Sequence, residues 1–288
     1  MPELPEVEAL ALDLSSRLEG RAVATVHLAA FSALKTFDPP LSALDGSFVE
    51  GVSRHGKFLD IGVGGLHLVL HLARAGWVRW RDEVPSIPPR PSAKSTLAAR
   101  IVLDDDSGLD VTEAGTRKSL AMYVVREVAD VPGIARLGPD PLSAEFTRDS
   151  LADILTAAGR AQVKGVLRDQ STIAGIGNAY SDELLHAARL SPFKPANSLT
   201  PEQVDELFAA IDAVVGDAVR RSRGLAASEL KGEKKSNLSV HGRTGEKCPV
   251  CGDVVREVSF ADSSLQYCPT CQTGGKPLAD RRMSKLLK

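Results

Sequence analysis

Four cysteines in two closely spaced pairs constrain the C-terminal end of this 288-residue chain more than any other feature. Cys248 and Cys251 form CPVC, Cys268 and Cys271 form CPTC, and sixteen residues separate the pairs. Two C-x-x-C knuckles at this distance are typical of a zinc ribbon, in which four thiolates complete a closed tetrahedral site. Disulfides or redox pairs are the alternative. They are less favoured, because we expect the chain to be cytoplasmic and it has no other cysteine. The spacing predicts one structural Zn²⁺ ion.

The composition indicates a folded chain whose C-terminal portion is basic. Hydrophobic residues make up 43% of the sequence, and the length suggests two domains more readily than one. No apolar run approaches a bilayer span, and the acidic start is unlike a signal peptide, so we expect a cytoplasmic protein without a membrane partner. Residues 220–288 carry fourteen Lys or Arg against seven Asp or Glu. This asymmetry suggests polyanion binding, although a solvated basic tail fits the charge equally well.

Hydrophobic periodicity predicts a helix followed by a β-rich region. Residues 4–20 have apolar side chains mostly at helical spacings and end in glycine, which predicts one amphipathic helix. Between residues 23 and 125, eight short β-rich runs are separated by Gly, Asp and Pro, which predicts a β-sandwich or barrel. The stretch EVPSIPPRPSAKS is too rich in proline for a sheet interior and is interpreted as a loop.

Helical patterns dominate after the loop-like stretch RLGPDPLS. One begins near Thr147, another at Ala179, and a third with a capping box in which Gln203 reaches back to Thr200. Near the cysteines, NLSV and VREVSF suit the strands of a short hairpin. We therefore expect an α+β chain with four parts: an N-terminal helix and β-sandwich at 1–130, a linker at 131–145, a helical domain at 146–235, and a zinc finger with a C-terminal tail at 236–288.

The opening MPELPEVE places a proline and two acids at the start of the first helix. Removal of Met1 would leave Pro2 with a free secondary amine, and an α-amino group titrates nearer neutrality than a lysine. Such an amine attacks an aldehyde carbon to give an iminium, which labilises the neighbouring proton, and the carboxylate of Glu3 can move protons to and from it. Proline and acids are also ordinary residues at a helix start, so this stretch alone leaves both interpretations open.

Six motifs in register relate this chain to one enzyme family. After PELPEVE come RHGKFL, LGPDPL, DQSTIAGIGNAYSDE, VHGR and the cysteine pairs. In this order they resemble the motifs of the formamidopyrimidine-DNA glycosylase and endonuclease VIII family of base-excision enzymes. The resemblance covers nearly the whole chain. It implies a helix with a β-sandwich, a helix-two-turn-helix domain and a zinc finger, with double-stranded DNA that contains a damaged base or an abasic site bound between them by a monomer.

The resemblance also implies roles for the matched residues. Pro2 would attack C1′ of the damaged nucleotide, so that an oxidised base leaves and the strand is cleaved by β- and δ-elimination through a Schiff base. Glu3 would be the proton shuttle and Glu6 a supporting acid. Lys57 would complete the catalytic set by supplying a cation to a phosphate flanking the extruded nucleotide, and Asn178 would donate to the same backbone region.

Other matched positions concern DNA contact. Lys164 corresponds to a family lysine associated with the site, and Arg243 closes the VHGR motif. Much of the family has a methionine where this chain has Arg74, so Arg74 is our candidate for filling the gap left by a flipped base. Ser263 stands where the arginine of the zinc finger is expected, and the possible substitutes for it are Arg243, Arg281, Arg282 and Lys285.

Two further departures leave the substrate open. TEAGTRKSLAMY replaces the usual DPRRFG, and residues 222–243 form a shorter stretch than in members that cap an oxidised purine. A non-catalytic protein that binds damaged DNA or abasic sites on the same fold is therefore the alternative to the enzyme. Retention of Pro2 and Glu3 favours the enzyme, because a binding protein has no need of an imine-forming amine.

Overall fold

The computed structural model describes residues 1–92, 95–261 and 263–279. Their contacts divide the chain into a first unit, Met1–Leu137 with Ser222–Lys231, and a second unit, Gly138–Arg221 with Gly232–Lys288. The finer division into four parts stays a prediction. Among the described helices, none is long and apolar enough to cross a membrane.

Helix α1 covers Leu4–Leu18 and opens the first unit. Leu10, Leu14 and Leu18 lie one above the other because a helix repeats every 3.6 residues, and each is at most 1% exposed. They belong to the main apolar core, and α1 packs against the second and third strands. Gly20 follows in the left-handed conformation with φ of 78°, as expected of a helix stop.

Eight strands follow and confirm the predicted β-sandwich: β1 Val23–Leu28, β2 Val49–His55, β3 Phe58–Val63, β4 Leu66–His71, β5 Gly76–Arg81, β6 Leu97–Leu103, β7 Gly108–Glu113 and β8 Ala121–Val125. They form two antiparallel sheets, with strand orders β1-β6-β7-β5 and β2-β3-β4-β8. The stretch EVPSIPPRPSAKS is a loop in its described residues. Short 3₁₀ turns lie at Phe31–Ala33, Leu41–Leu44, Val128–Asp130 and Ala196–Ser198.

The helices after the sandwich are α2 Arg148–Ala157, α3 Val163–Arg168, α4 Asn178–Ala187, α5 Pro201–Ile211, α6 Asp217–Ser222 and α7 Leu230–Asn237. A π-helical turn at Asp212–Gly216 joins α5 to α6. The capping box that the sequence predicts is present: Gln203 N–H donates to Thr200 Oγ1 at 3.4 Å, and Thr200 N–H donates to Gln203 Oε1 at 3.2 Å. Helix α7 lies in the polar, basic stretch for which the sequence predicts no element.

The finger consists of β9 Arg256–Ser259, β10 Ser264–Tyr267 and the short helix α8 Pro269–Thr273. VREVSF supplies β9 as predicted, but the prediction that NLSV forms a strand was wrong, because β9 pairs with β10. The backbone around NLSV is held by Glu183 instead. Its carboxylate accepts N–H groups of Ser239, Val240 and His241 at 2.7–2.9 Å, which satisfies the donors that a strand would otherwise pair.

Candidate functional site

The start of α1 brings two acids together in a buried place. Glu3 precedes the helix and Glu6 lies in its first turn, and both are 2% exposed. The backbone N–H of Glu3 donates to Oε2 of Glu6 at 2.8 Å, and Pro2, directly before Glu3, is buried as well. The two residues form a capping box at the start of the helix. Burying two carboxylates costs free energy that exposed capping residues do not incur, so capping alone does not explain their burial.

Lys57 lies in the two-residue turn between β2 and β3 and is 8% exposed. The neighbouring Gly56 has φ of 57°, which favours glycine. Arg54 fixes this turn to α1, since its Nη1 donates to the Gly56 carbonyl at 3.1 Å and its Nε to Oε2 of Glu8 at 2.7 Å. Sequence reasoning missed Arg54 and Glu8, because residues 46 positions apart show no shared pattern.

His71 ends β4 beside the Lys57 turn. Its ring centroid lies 4.7 Å from that of Phe58. Burial, and then the positive charge of Lys57, hold the pKa of His71 below its ordinary value. The imidazole is therefore neutral at neutral pH and adds no second cation to this turn.

Arg74 occupies a tight turn between β4 and β5 and is exposed. The Gly76 N–H donates to the Leu72 carbonyl at 2.8 Å, and a Cβ on Gly76 would lie 2.1 Å from that oxygen, so only glycine fits. Ala73 adopts φ of 49°, a conformation that costs a residue with a side chain on the order of 1 kcal/mol. The backbone is therefore strained in the turn that carries Arg74.

The loop that replaces DPRRFG is tied to the end of β7. Oε1 of Glu113 accepts the N–H groups of Ser119 and Leu120 at 2.7 and 3.0 Å. Lys118 folds back, with Nζ donating to the Glu113 carbonyl at 2.5 Å, whereas Arg117 is exposed. Both cations of this loop are exposed, and Lys118 is in addition hydrogen-bonded to the backbone of its own unit.

In the second unit, Lys164 and Asn178 lie together. Nζ of Lys164 donates to Oδ1 of Asp182 at 2.6 Å, to Oγ of Ser181 at 2.7 Å and to the Asn178 carbonyl at 3.2 Å. Lys164 is 5% exposed, so its ammonium lies inside the unit rather than on a surface. It supports the first turn of α4, where Asn178 stands.

Asn178 and the loop before it are held by two further contacts. Nδ2 of Asn178 donates to the Ser264 carbonyl in the finger at 2.8 Å, while its buried Oδ1 accepts no hydrogen bond within the described part of the chain. Gln170 clamps the glycine loop, because its Oε1 accepts the Gly175 N–H at 3.0 Å and its Nε2 donates to the Ile176 carbonyl at 2.7 Å. Gly175 has φ of 86°, as the glycine-rich motif predicts.

Arg243 lies in the turn that leads into the finger. Nη1 donates to Oε2 of Glu246 at 3.2 Å and Nη2 to the Ser236 carbonyl at 3.2 Å, and the side chain is 34% exposed. Part of its guanidinium is therefore engaged within the chain. Arg281, Arg282 and Lys285, the other candidates for the phosphate contact, lie outside the described residues.

The four cysteines converge as predicted. Their Sγ atoms all lie within 4.8 Å of one another, with 3.3 Å between Cys251 and Cys268 and 3.9 Å between Cys248 and Cys271. Sulfurs around a tetrahedral zinc with bonds of about 2.3 Å are about 3.8 Å apart, whereas a disulfide needs about 2.05 Å. The distances fit zinc. Burial raises the pKa of the Cys268 thiol to about 11, so a metal ion that binds there has to displace its proton.

Three family models match successive parts of the chain. The formamidopyrimidine-DNA glycosylase N-terminal domain matches residues 1–122, the formamidopyrimidine-DNA glycosylase H2TH domain matches 137–229, and the zinc finger found in FPG and IleRS matches 245–274. A formamidopyrimidine-DNA glycosylase of Symbiobacterium thermophilum is 36% identical over 295 residues, covering 98% of this chain and 93% of that protein. An uncharacterized formamidopyrimidine-DNA glycosylase-like protein of Mycobacterium tuberculosis is 59% identical over 161 residues, covering 56% of this chain and all of that protein.

Solved structures agree with these matches. The crystal structure of the MutM (Fpg) protein of Thermus thermophilus superposes with a TM-score of 0.80 at 32% identity, covering 96% of this chain and 100% of that one. The Lactococcus lactis formamidopyrimidine-DNA glycosylase, solved non-covalently bound to DNA containing an AP site, gives a TM-score of 0.81 at 26% identity and covers 94% of this chain and 99% of that one. The fold is therefore shared with a protein that has been solved bound to DNA containing an AP site.

Proposed function

Since the chain belongs to the formamidopyrimidine-DNA glycosylase family, we propose that it is a bifunctional DNA glycosylase and AP lyase. It removes oxidised bases from double-stranded DNA and then cleaves the strand. The observation that carries the proposal is the start of α1, where Pro2 precedes two buried acids, Glu3 and Glu6, and the Glu6 carboxylate accepts the backbone N–H of Glu3 at 2.8 Å. Burying titratable groups costs free energy, and a role in DNA binding alone does not require such burial.

The reaction begins once Met1, which is 49% exposed, has been removed. The Pro2 nitrogen forms a bond to C1′ as the bond from C1′ to the base breaks, and the base leaves with a proton. Loss of the amine proton and opening of the sugar at O4′ give the iminium. Loss of a C2′ proton expels the 3′ phosphate, loss of the C4′ proton expels the 5′ phosphate, and water then hydrolyses the imine and releases Pro2.

Glu3 moves these protons, because its carboxylate directly follows the nucleophile. Glu6 positions Glu3, because the Glu3 N–H donates to Oε2 of Glu6 and this bond fixes the backbone between the nucleophile and the helix. The N-terminal end of a helix dipole attracts negative charge, and both carboxyl groups lie beside it. An uncharged amine beside an anionic acid is the state that the first step requires.

DNA contacts come from both units. Lys57 supplies the cation for a phosphate beside the extruded nucleotide, and Asn178 donates its second Nδ2–H to the backbone, since the first is used by Ser264. Lys164 acts through Asn178, whose carbonyl and first turn it supports. Arg74 enters the gap left by the flipped base, where its planar guanidinium can stack on the neighbouring bases.

The four cysteines would hold a structural zinc ion that keeps the finger together and takes no part in the chemistry. Four thiolate ligands would close the coordination shell and leave no position for substrate. When bound, the metal supplies the cross-link between the two knuckles that a finger of this size cannot replace with an apolar core. Cys248, Cys251, Cys268 and Cys271 would hold it.

Borohydride trapping tests the proposal. Duplexes containing 8-oxoguanine, formamidopyrimidine, thymine glycol, dihydrouracil or an abasic site are each incubated with the protein and borohydride, after intact mass has established that Met1 is absent. Reduction of the imine should give a covalent protein–DNA adduct, and peptide mapping of that adduct should place the sugar on the nitrogen of Pro2. Glu3→Gln should remove base excision but still bind the abasic duplex. Binding without an adduct on any duplex would instead support the non-catalytic alternative.

A further inference from the structure

His186 lies in the last turn of α4 and reaches the metal site without being one of its four ligands. Its Nε2 is 3.2 Å from Sγ of Cys248, a residue 62 positions later in the chain. The two side chains are 5% and 2% exposed, so water does not compete for this contact. The ring belongs to the helical part of the second unit, and the sulfur belongs to the finger.

The chemistry of a metal-bound thiolate fixes the direction of this hydrogen bond. A cysteine that ligates zinc has no proton and can only accept, so the ring nitrogen that faces it has to donate. A donor at this distance withdraws charge from the sulfur. It thereby reduces the repulsion among four thiolates around one ion, and it orients the ligand as outer-shell partners do in other metal sites.

Further contacts to the finger run along helix α4 toward its first turn. The Gln266 N–H of β10 donates to Oδ2 of Asp182 at 3.2 Å, and Asn178 at the start of the helix donates to the Ser264 carbonyl at 2.8 Å. Asn178 and His186 are eight residues apart, or about 12 Å along the helix axis. The finger is thus attached along the same helix that presents the DNA-binding asparagine.

We propose that His186 is a positioning residue for the zinc site, whose Nε2–H hydrogen bond to Cys248 slows loss of the metal and ties metal occupancy to the placement of Asn178. The effect on zinc rests on the four-cysteine site alone. The effect on Asn178 rests on the proposed DNA-binding function. The two parts are therefore measured separately.

Zinc release from the full-length protein tests the first part. His186→Phe keeps a ring of similar size but has no donor, whereas His186→Gln keeps an amide N–H. With a chromogenic chelator in excess, His186→Phe should release zinc about 10–100-fold faster than the unchanged protein, and His186→Gln should be closer to it. In Co²⁺-substituted protein, the sulfur-to-cobalt charge-transfer band should shift in His186→Phe.

Leu185→Ala is the matched control, because Leu185 is buried on the same helix at 1% exposure and its side chain cannot donate a hydrogen bond. It should lower the melting temperature but leave the cobalt band in place. Equal zinc-release rates for His186→Phe and the unchanged protein, or an equal shift of the cobalt band in Leu185→Ala, would overturn the proposal.

Binding to an abasic-site duplex tests the second part. At limiting zinc, His186→Phe should bind the duplex more weakly than the unchanged protein, and excess Zn²⁺ should restore the affinity. A deficit that excess Zn²⁺ leaves uncorrected would contradict coupling through the metal. If the unchanged protein binds no abasic duplex, the proposed function fails, whereas the zinc-release and cobalt results still decide the role of His186.

Discussion

Helices α1 and α4 both carry candidate functional residues at their starts, yet the contacts that hold them differ. Helix α1 buries a row of leucines from Leu10 to Leu18 in the core of the β-sandwich. Helix α4 buries Asp182, Glu183 and His186, and each of them makes hydrogen bonds to the finger or to the segment that leads into it. Apolar burial is non-directional, whereas hydrogen bonds fix an orientation, and the bonds of one network are lost together.

This difference separates the proposed chemistry from the proposed DNA contact of Asn178. The helix that follows Pro2, the proposed nucleophile, packs into an apolar core that contains none of the four cysteines. The helix that presents Asn178 makes hydrogen bonds to the finger, and we expect the folding of the finger to depend on zinc. Changes to the first unit should therefore affect catalysis or global stability, and changes to the finger should affect DNA binding first.

The largest effect is expected from Glu3→Gln, which removes the proton carrier and leaves the packing of α1 intact. We expect base excision to slow by about 10²–10⁴-fold, with affinity for an abasic duplex unchanged. Single-turnover excision kinetics and a binding titration measure the two quantities. Glu19→Gln, at an exposed position after the same helix, is the control and should keep the normal rate. A parallel loss of affinity would show that the two helices are not separable.

Leu10→Ala tests the apolar side of the comparison. Leu10 is fully buried, so truncation should lower the free energy of unfolding of the first unit by about 2–5 kcal/mol. Both tryptophans of the chain, Trp77 and Trp80, lie in this unit, so their fluorescence follows its urea unfolding. Zinc release should stay at the normal rate. Leu12→Ala, at a 45% exposed position on the same helix, should have little effect on stability.

Cys268→Ser tests the polar side. Loss of one thiolate should empty the finger of zinc and weaken binding to an abasic duplex by at least about 1.4 kcal/mol, which is tenfold. Hydrogen exchange should show faster exchange at the 239–241 amides that Glu183 binds and at β10, while α1 keeps its protection. Faster exchange in α1 as well would mean that the first unit also depends on the metal.

Arg74→Ala tests the base contact assigned to the first unit. Without a side chain to fill the gap, extrusion from a duplex should be harder, and we expect about tenfold slower excision from duplex DNA. Excision from a single strand, which has no opposite base and little stacking to restore, should change less. Arg79→Ala, another exposed arginine of the first unit, serves as the control. Equal duplex rates for Arg74→Ala and the unchanged enzyme would remove Arg74 from this role.

The sequence predicts those parts of the molecule whose cause is local. The capping box at Thr200 depends on two residues three positions apart. The spacing of the cysteines likewise identifies the four metal ligands. The contacts that orient the site join distant residues: Arg54 with Glu8, and Glu183 with the backbone at 239–241, which lies 56–58 positions away. Pairs at such separations leave no periodicity, which is why the NLSV strand was predicted wrongly and His186 was not predicted at all.

The smallest effect concerns a polar cluster in the first unit. Asp60 on β3 is 4% exposed, and its carboxylate lies 3.3 Å from Nε2 of His55 and 3.0 Å from Nδ1 of His67. Burial alone would raise the pKa of Asp60, but the hydrogen bonds from the two histidines outweigh it and hold the pKa below its ordinary value. The cluster therefore stabilises the fold through the ionised carboxylate.

A carboxyl group whose pKa is lower in the folded than in the unfolded state contributes its full stability above the unfolded pKa, about 3.9 for aspartate, and loses it as the pH falls through the folded value. We expect the tryptophan-monitored free energy of unfolding of the unchanged protein to fall below about pH 4 for this reason. Asp60→Asn should be less stable at neutral pH and show a weaker dependence in that acid range. Asp45→Asn, an exposed acid of the same unit, is the control. An unaltered acid slope in Asp60→Asn would show that the histidines do not hold the carboxylate in its ionised form.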